Sequence, residues 1–226
     1  MGYGNGWWWH RFFDFPDLPL VTKTVTVEKQ SGYPFAIMRL GSTVYNHIAL
    51  HNKGIFEWVD SYYKHRKIDQ KKLREKVTLS IYGTDHDIDY MMTVLHHEHV
   101  PLAGVELNYS CPNVSHQQGK RTLPKTDYPL WLKLRHNQDP YAFDLDRIQC
   151  IRVNSVPCWF GGMSGKGAQE KNWAFIKKFN QEGLNVAGCS FVTHDDLRYL
   201  EEYCGCTEVG IGATILVNPK LVESLA

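Results

Sequence analysis

Seven short β-rich runs, several of them separated by amphipathic helical stripes, constrain this 226-residue chain more than any other feature. They are Leu20–Val27, Val77–Tyr82, Val105–Asn108, Leu130–Leu134, Cys150–Asn154, Asn185–Cys189 and Glu208–Ile211. Between the second and third runs, Ile88, Met91, Met92 and Leu95 recur at helical spacing behind a capping Thr84 or Asp85. Trp173, Ile176 and Phe179 form a second stripe that stops at Gly183. Thr193, with Asp196 three residues on, reads as a capping box for a helix carrying Leu197 and Leu200 and ended by Gly205. Such alternation predicts parallel βα units. Pattern alone leaves a barrel and a doubly wound sheet close together. Two connections are thin: 109–129 is rich in polar residues and Pro, and 135–148 holds at most a short helical turn.

Composition narrows the function classes. Hydrophobic residues make up 43% and charged residues 22%, which suits an ordinary packed core. A net charge of +1 gives no broad basic field for nucleic acid. No apolar run approaches the ~18 residues of a membrane span, and no signal peptide opens the chain. The six cysteines show no paired C-x-x-C spacing and read as reduced thiols. The expectation is a soluble, cytoplasmic globule: an aromatic N-terminal segment 1–18, then a single domain 19–226.

The sharpest chemical signal is GVELNYSCPN at 104–113, where an apolar strand ends in a polar turn with two amides, a hydroxyl and a thiol. A thiol just past a strand end is where an α/β enzyme places a reactive group. The segment resembles the signature of the dihydroorotate dehydrogenases, flavin enzymes of pyrimidine synthesis whose class 1 members use the cysteine of this loop as base. Further likenesses follow in the family's order. LVTKTVTVE supplies Lys23 and Thr24; YNHIALHNKG resembles the substrate loop, with Asn46, Ile48, Ala49 and Leu50. NYSCPN gives Asn108, Cys111 and Asn113, LWLKL gives Lys133, and IRVNSV gives Asn154 and Ser155. FGGMSGKGAQ resembles a glycine turn flanking the flavin phosphate, with Gly161 and Gly162. Cys189 and Ser190, then Gly212 and Ala213, fall at the last two strand ends, where the phosphate is expected.

The resemblance implies a (β/α)8 TIM-type barrel, reduced or incomplete, with the first strand missing or replaced. It implies FMN as cofactor and oxidation of dihydroorotate to orotate. Cys111 would be the base, with Lys133 and Lys23 beside the flavin. Lys23, Thr24, Asn108, Lys133, Ser155, Gly161, Gly162, Cys189, Ser190, Gly212 and Ala213 would hold the cofactor. Asn46, Ile48, Ala49, Leu50, Asn108, Asn113, Asn154 and Ser155 would hold the substrate. Each polar group lies at the C-terminal end of an expected strand, the face where barrels assemble their sites. Departures sit at Ala49, where the family has glycine, and at Cys189 and Ser190, where it has a glycine pair. With the missing first strand they favour one alternative, a non-catalytic barrel acting as a partner; a second, a flavin-dependent reductase of uracil-like rings, shares the cysteine and the barrel. An incomplete barrel wall also gives a reason to form a homodimer.

Other motifs carry less. HHEH at 96–99 lacks the H-E-x-x-H spacing of a helical zinc site, so no metal is expected. GGMSGKG is one residue short of a phosphate loop and lacks its Ser/Thr. The Trp7–Trp9 and Phe12–Phe15 cluster reads as a plug against the barrel, or as a partner surface if exposed.

Overall fold

The computed structural model describes residues 18–33, 36–64, 74–110, 122–153 and 155–225. In chain order the strands are β1 (Leu20–Val21), β2 (Ile37–Leu40), β3 (Thr43–Asn46), β4 (Val77–Ile81), β5 (Gly104–Asn108), β6 (Leu130–Leu134), β7 (Ile148–Val153), β8 (Val156–Cys158), β9 (Gly161–Gly165) and β10 (Val186–Ala187). The helices are α1 (Ile55–Trp58), continued by a π-helical turn at Val59–Lys64, α2 (Asp85–His97), α3 (Gln169–Gln181), α4 (His194–Glu202), α5 (Thr214–Val217) and α6 (Pro219–Glu223).

Six strands form one parallel sheet in the order β1-β4-β5-β6-β7-β10. Bridges Val25↔Ile81 and Gly188↔Val209 extend it at both ends, so all seven expected strand positions appear in chain order. The sheet curls into a half-barrel, consistent with a reduced TIM-type barrel. Strand alternation gives it two unlike faces. Leu79, Ile81, Val105, Leu107, Leu132, Leu134, Ile151 and Val153 join one apolar core with Ile88, Met91, Met92 and Leu95 of α2 and Phe175, Ile176 and Phe179 of α3. Burying each such side chain contributes roughly 1.5–3 kcal/mol. Ser80, Glu106, Asn108, Lys133 and Arg152 belong to the opposite, inner set.

The helix ends follow the sequence. Thr84 with Asp87, and Thr193 with Asp196, form reciprocal capping boxes. Gly183 (φ 90°) and Gly205 (φ 68°) take the left-handed backbone that follows a helix end. The 135–148 connection holds only two 3₁₀ turns, Pro140–Ala142 and Leu145–Arg147.

The sequence reading missed a second sheet. Strands β2-β3-β9-β8 form an antiparallel sheet inserted after β1 and β7. It corrects one expectation: residues 161–165 are a strand, not a turn. Every residue of β2 is exposed and β9 reads GGMSG, so neither strand has an apolar alternation to read. No described helix is long and apolar enough to cross a membrane. No group of three or more metal-ligating side chains occurs among the described residues. The Trp7–Trp9 and Phe12–Phe15 cluster lies outside them.

Candidate active site

Three neighbouring strands place charges on the inner face. Glu106 on β5 is 1% exposed, and its oxygens meet Lys133 Nζ and Arg152 Nη1, each at 3.2 Å. Lys133 and Arg152 are register partners on β6 and β7, so they stand at the same height. Glu106 lies opposite Trp131, one pleat below the Asn108–Lys133 pair. The Arg152 guanidinium also lies 5.2 Å from the centre of the Trp131 ring. Gly104 makes room for that indole, because a Cβ there would collide with the Trp131 ring. Burial pushes the Glu106 carboxyl up, but Lys133, then Arg152, with a hydrogen bond from Ser80, outweigh it and hold the group below its usual value. Glu106 is therefore ionised at neutral pH.

A neutral network continues toward the C-terminal ends of the strands. Thr24 Oγ1 lies 2.9 Å from Ser80 Oγ, and Asn108 Nδ2 donates to Thr24 Oγ1 at 2.7 Å. Asn108 Oδ1 accepts from both the backbone N–H (3.0 Å) and the hydroxyl (2.6 Å) of Ser110. Asn108 thus fixes the backbone of Ser110 just past the end of β5. Cys111, Asn113 and Asn154 lie outside the described residues. Lys23 is half-buried beside Thr24.

Beyond the end of β7, the antiparallel sheet brings three expected site residues together. A Cβ on Gly162 would stand 2.5 Å from Ser155 Oγ and 3.2 Å from Asn46 Nδ2. Only a missing side chain lets those two polar atoms share this corner. The Asn46–Leu50 loop is anchored by Asn52, which is 5% exposed. Its Nδ2 donates to Leu50 O at 2.6 Å and Thr26 Oγ1 at 2.9 Å, and its Oδ1 accepts from Gly54 N at 2.7 Å. Ala49 in that loop has φ 57°, the left-handed conformation that glycine adopts readily.

The last two strand ends differ in character. Ser190 also has a left-handed backbone, φ 64°. Its Oγ accepts from Asn172 Nδ2 at 3.1 Å and lies 3.7 Å from Cys189 Sγ. Burial raises the Cys189 thiol to about 11, against opposing effects of Ser190, Asn172 and Lys133. That thiol is neutral at physiological pH. Thr214, 1% exposed, donates its hydroxyl to Phe191 O at 2.6 Å. Gly212 is exposed and a Cβ there would touch nothing within 4 Å; Ala213 precedes α5.

The family model described as dihydroorotate dehydrogenase matches residues 16–138, just over half of the chain. The chain belongs to the dihydroorotate dehydrogenase family. A search of curated proteins returns no match. In this member, Thr24, Asn108 and Lys133 cluster on or beside the inner face, while Asn46, Ser155 and Gly162 meet at the antiparallel sheet. Cys189 and Ser190 form a third group. The matched span takes in β1 to β6; Ser155, Gly161, Gly162, Cys189, Ser190, Gly212 and Ala213 lie beyond it.

Sequence reasoning missed Glu106, Arg152, Ser80 and Asn52. A signal existed for the first two: each is a charge inside an otherwise apolar strand, costly to bury without an opposite partner. One glutamate and two cations on three neighbouring strands therefore predict one another. Asn52 carried no such signal, because its hydrogen bonds to Thr26, Leu50 and Gly54 depend on a loop conformation.

Proposed function

We propose that this family member is an FMN-dependent oxidoreductase converting dihydroorotate to orotate. The observation carrying this reading is the family match over 16–138, a span that includes Lys23, Asn46, Asn108, the Cys111 loop and Lys133. On this reading a flat ring system would lie over the inner face, with the Asn46–Ser155 corner beyond it. Lys133 offers an ammonium tied to Glu106, and the Gly162 corner keeps Asn46 and Ser155 together. FMN, when bound there, would supply the acceptor for the hydride leaving C6 of the substrate. Cys111, as thiolate, would take the proton from C5, so activity should rise with pH toward the ordinary thiol value of about 8.5. Lys133 would stabilise negative charge developing on the ring system. Asn46 and Ser155 would orient the substrate through donor and acceptor groups.

The test is spectroscopic. Protein mixed with FMN should retain the yellow chromophore after gel filtration, and anaerobic dihydroorotate should bleach it. Cys111→Ser should keep the chromophore but slow bleaching by two orders of magnitude or more, the scale of general-base catalysis. Protein that never retains FMN rejects the reading; unchanged bleaching in the variant removes Cys111 from it.

One observation favours a second reading, a barrel without redox activity. Where a phosphate would need hydroxyl donors, the Ser190 hydroxyl is engaged with Asn172 and Cys189, and Thr214 donates to Phe191 O. The FMN-retention step separates the two.

A further inference from the structure

Glu106 is a buried carboxylate that the proposed chemistry leaves unused. It is shared by two cations, each 3.2 Å away, and the three groups together carry one net positive charge. The exposures are unequal. The Lys133 side chain is 24% exposed and that of Arg152 21%, against 1% for the carboxylate. A ligand reaching this face therefore meets cations with spare N–H donors and not the anion that balances one of them. Without Arg152, the Glu106 and Lys133 charges would cancel.

We propose that Arg152 is a specificity-determining residue: by sharing Glu106 with Lys133, it leaves this three-residue cluster one positive charge in excess, which selects an anionic pyrimidine carboxylate over a neutral pyrimidine. This deepens the proposed function and rests on the inner face being its ligand site. It also sets orotate-like ligands apart from uracil-like rings, the neutral class that a related reductase would take. One unit charge within a few ångströms of a ligand, at the effective dielectric of a protein site, changes affinity by about tenfold or more, and added salt reduces the effect.

Calorimetric titration with orotate and with uracil, each without and with saturating FMN, tests this. Arg152→Gln removes the excess charge while keeping the Glu106–Lys133 pair. Arg152→Lys keeps the charge and loses the planar fork. Wild-type protein should bind orotate at least tenfold tighter than uracil. Arg152→Gln should weaken orotate about tenfold and leave uracil unchanged, and Arg152→Lys should restore most of the preference. Equal changes for both ligands, no change for either, a Lys variant as poor as the Gln variant, or no binding of either ligand by the wild type would each overturn the proposal. The oxidation reading fails separately, on flavin bleaching, because here only a ratio of affinities is read.

Discussion

The inner face of the parallel sheet and the antiparallel sheet beyond it bring polar groups together by opposite means. On the inner face, large charged side chains from β5, β6 and β7 converge around a carboxylate that is only 1% exposed and leave one positive charge in excess. In the antiparallel sheet, Asn46 and Ser155 approach because Gly162 contributes no side chain at all. The first arrangement depends on what is present, the second on what is left out. Removing a partner should therefore damage the inner face far more than adding an atom damages the antiparallel sheet.

Glu106→Gln is the harshest way to break this contrast. It leaves Lys133 and Arg152 facing each other without their shared counter-charge, and should cost about 3 kcal/mol at pH 7, measured by denaturant unfolding. The pH dependence has a definite sign. Because the folded carboxyl titrates below its usual value, its contribution is fully present above the unfolded value of about 4.3. It is lost as pH falls toward the lower folded value. The gap between wild type and variant should be constant above about pH 5 and close below about pH 4. A loss under about 1 kcal/mol, or a gap indifferent to pH, would show that the charge cluster does not hold the inner face.

Gly162→Ala sharpens the other side. The new methyl would press on Ser155 Oγ and crowd Asn46 Nδ2, yet Ser155 can rotate, so about 1 kcal/mol is expected. Hydrogen exchange should quicken in β3, β8 and β9 and stay unchanged in β4 to β7. Protection lost in both sheets would mean that the two regions are one cooperative unit.

The same contrast decides what could be read from residues alone. The parallel wall was legible because its outer residues are buried: Leu79, Ile81, Val105, Leu107 and Leu132 are all fully enclosed, and burial enforces an apolar pattern. Capping Thr84 and Thr193 were legible because their chemistry is local. Strand β2 was not, since Ile37, Met38, Arg39 and Leu40 are all exposed. Strand β9 was not either, since three of its five residues are glycine and its pairing with β3 links residues far apart in the chain. Of the expected site, Thr24, Asn108 and Lys133 converge because they lie at or just past the C-terminal ends of strands of one parallel sheet. The inward-turned hydroxyls of Ser190 and Thr214 depend on partners, Asn172 and Phe191, that no motif announces.

Ala49 offers the finest probe, since there the antiparallel side carries a side chain where the backbone favours none. Its φ of 57° costs an L-residue roughly 1 kcal/mol, and the loop persists because Asn52 grips both Leu50 O and Gly54 N. Ala49→Gly removes the strain but gives the unfolded chain more freedom to lose, a partly cancelling effect. The net expectation is a gain of up to about 0.5 kcal/mol, read as a small rise in the midpoint of thermal unfolding. Paired with Asn52→Ala, the same change should be worth less, because a loop released from Asn52 can relax its own backbone. A glycine gain of equal size in both backgrounds would show that the strain belongs to residue 49 itself and not to the loop that Asn52 holds.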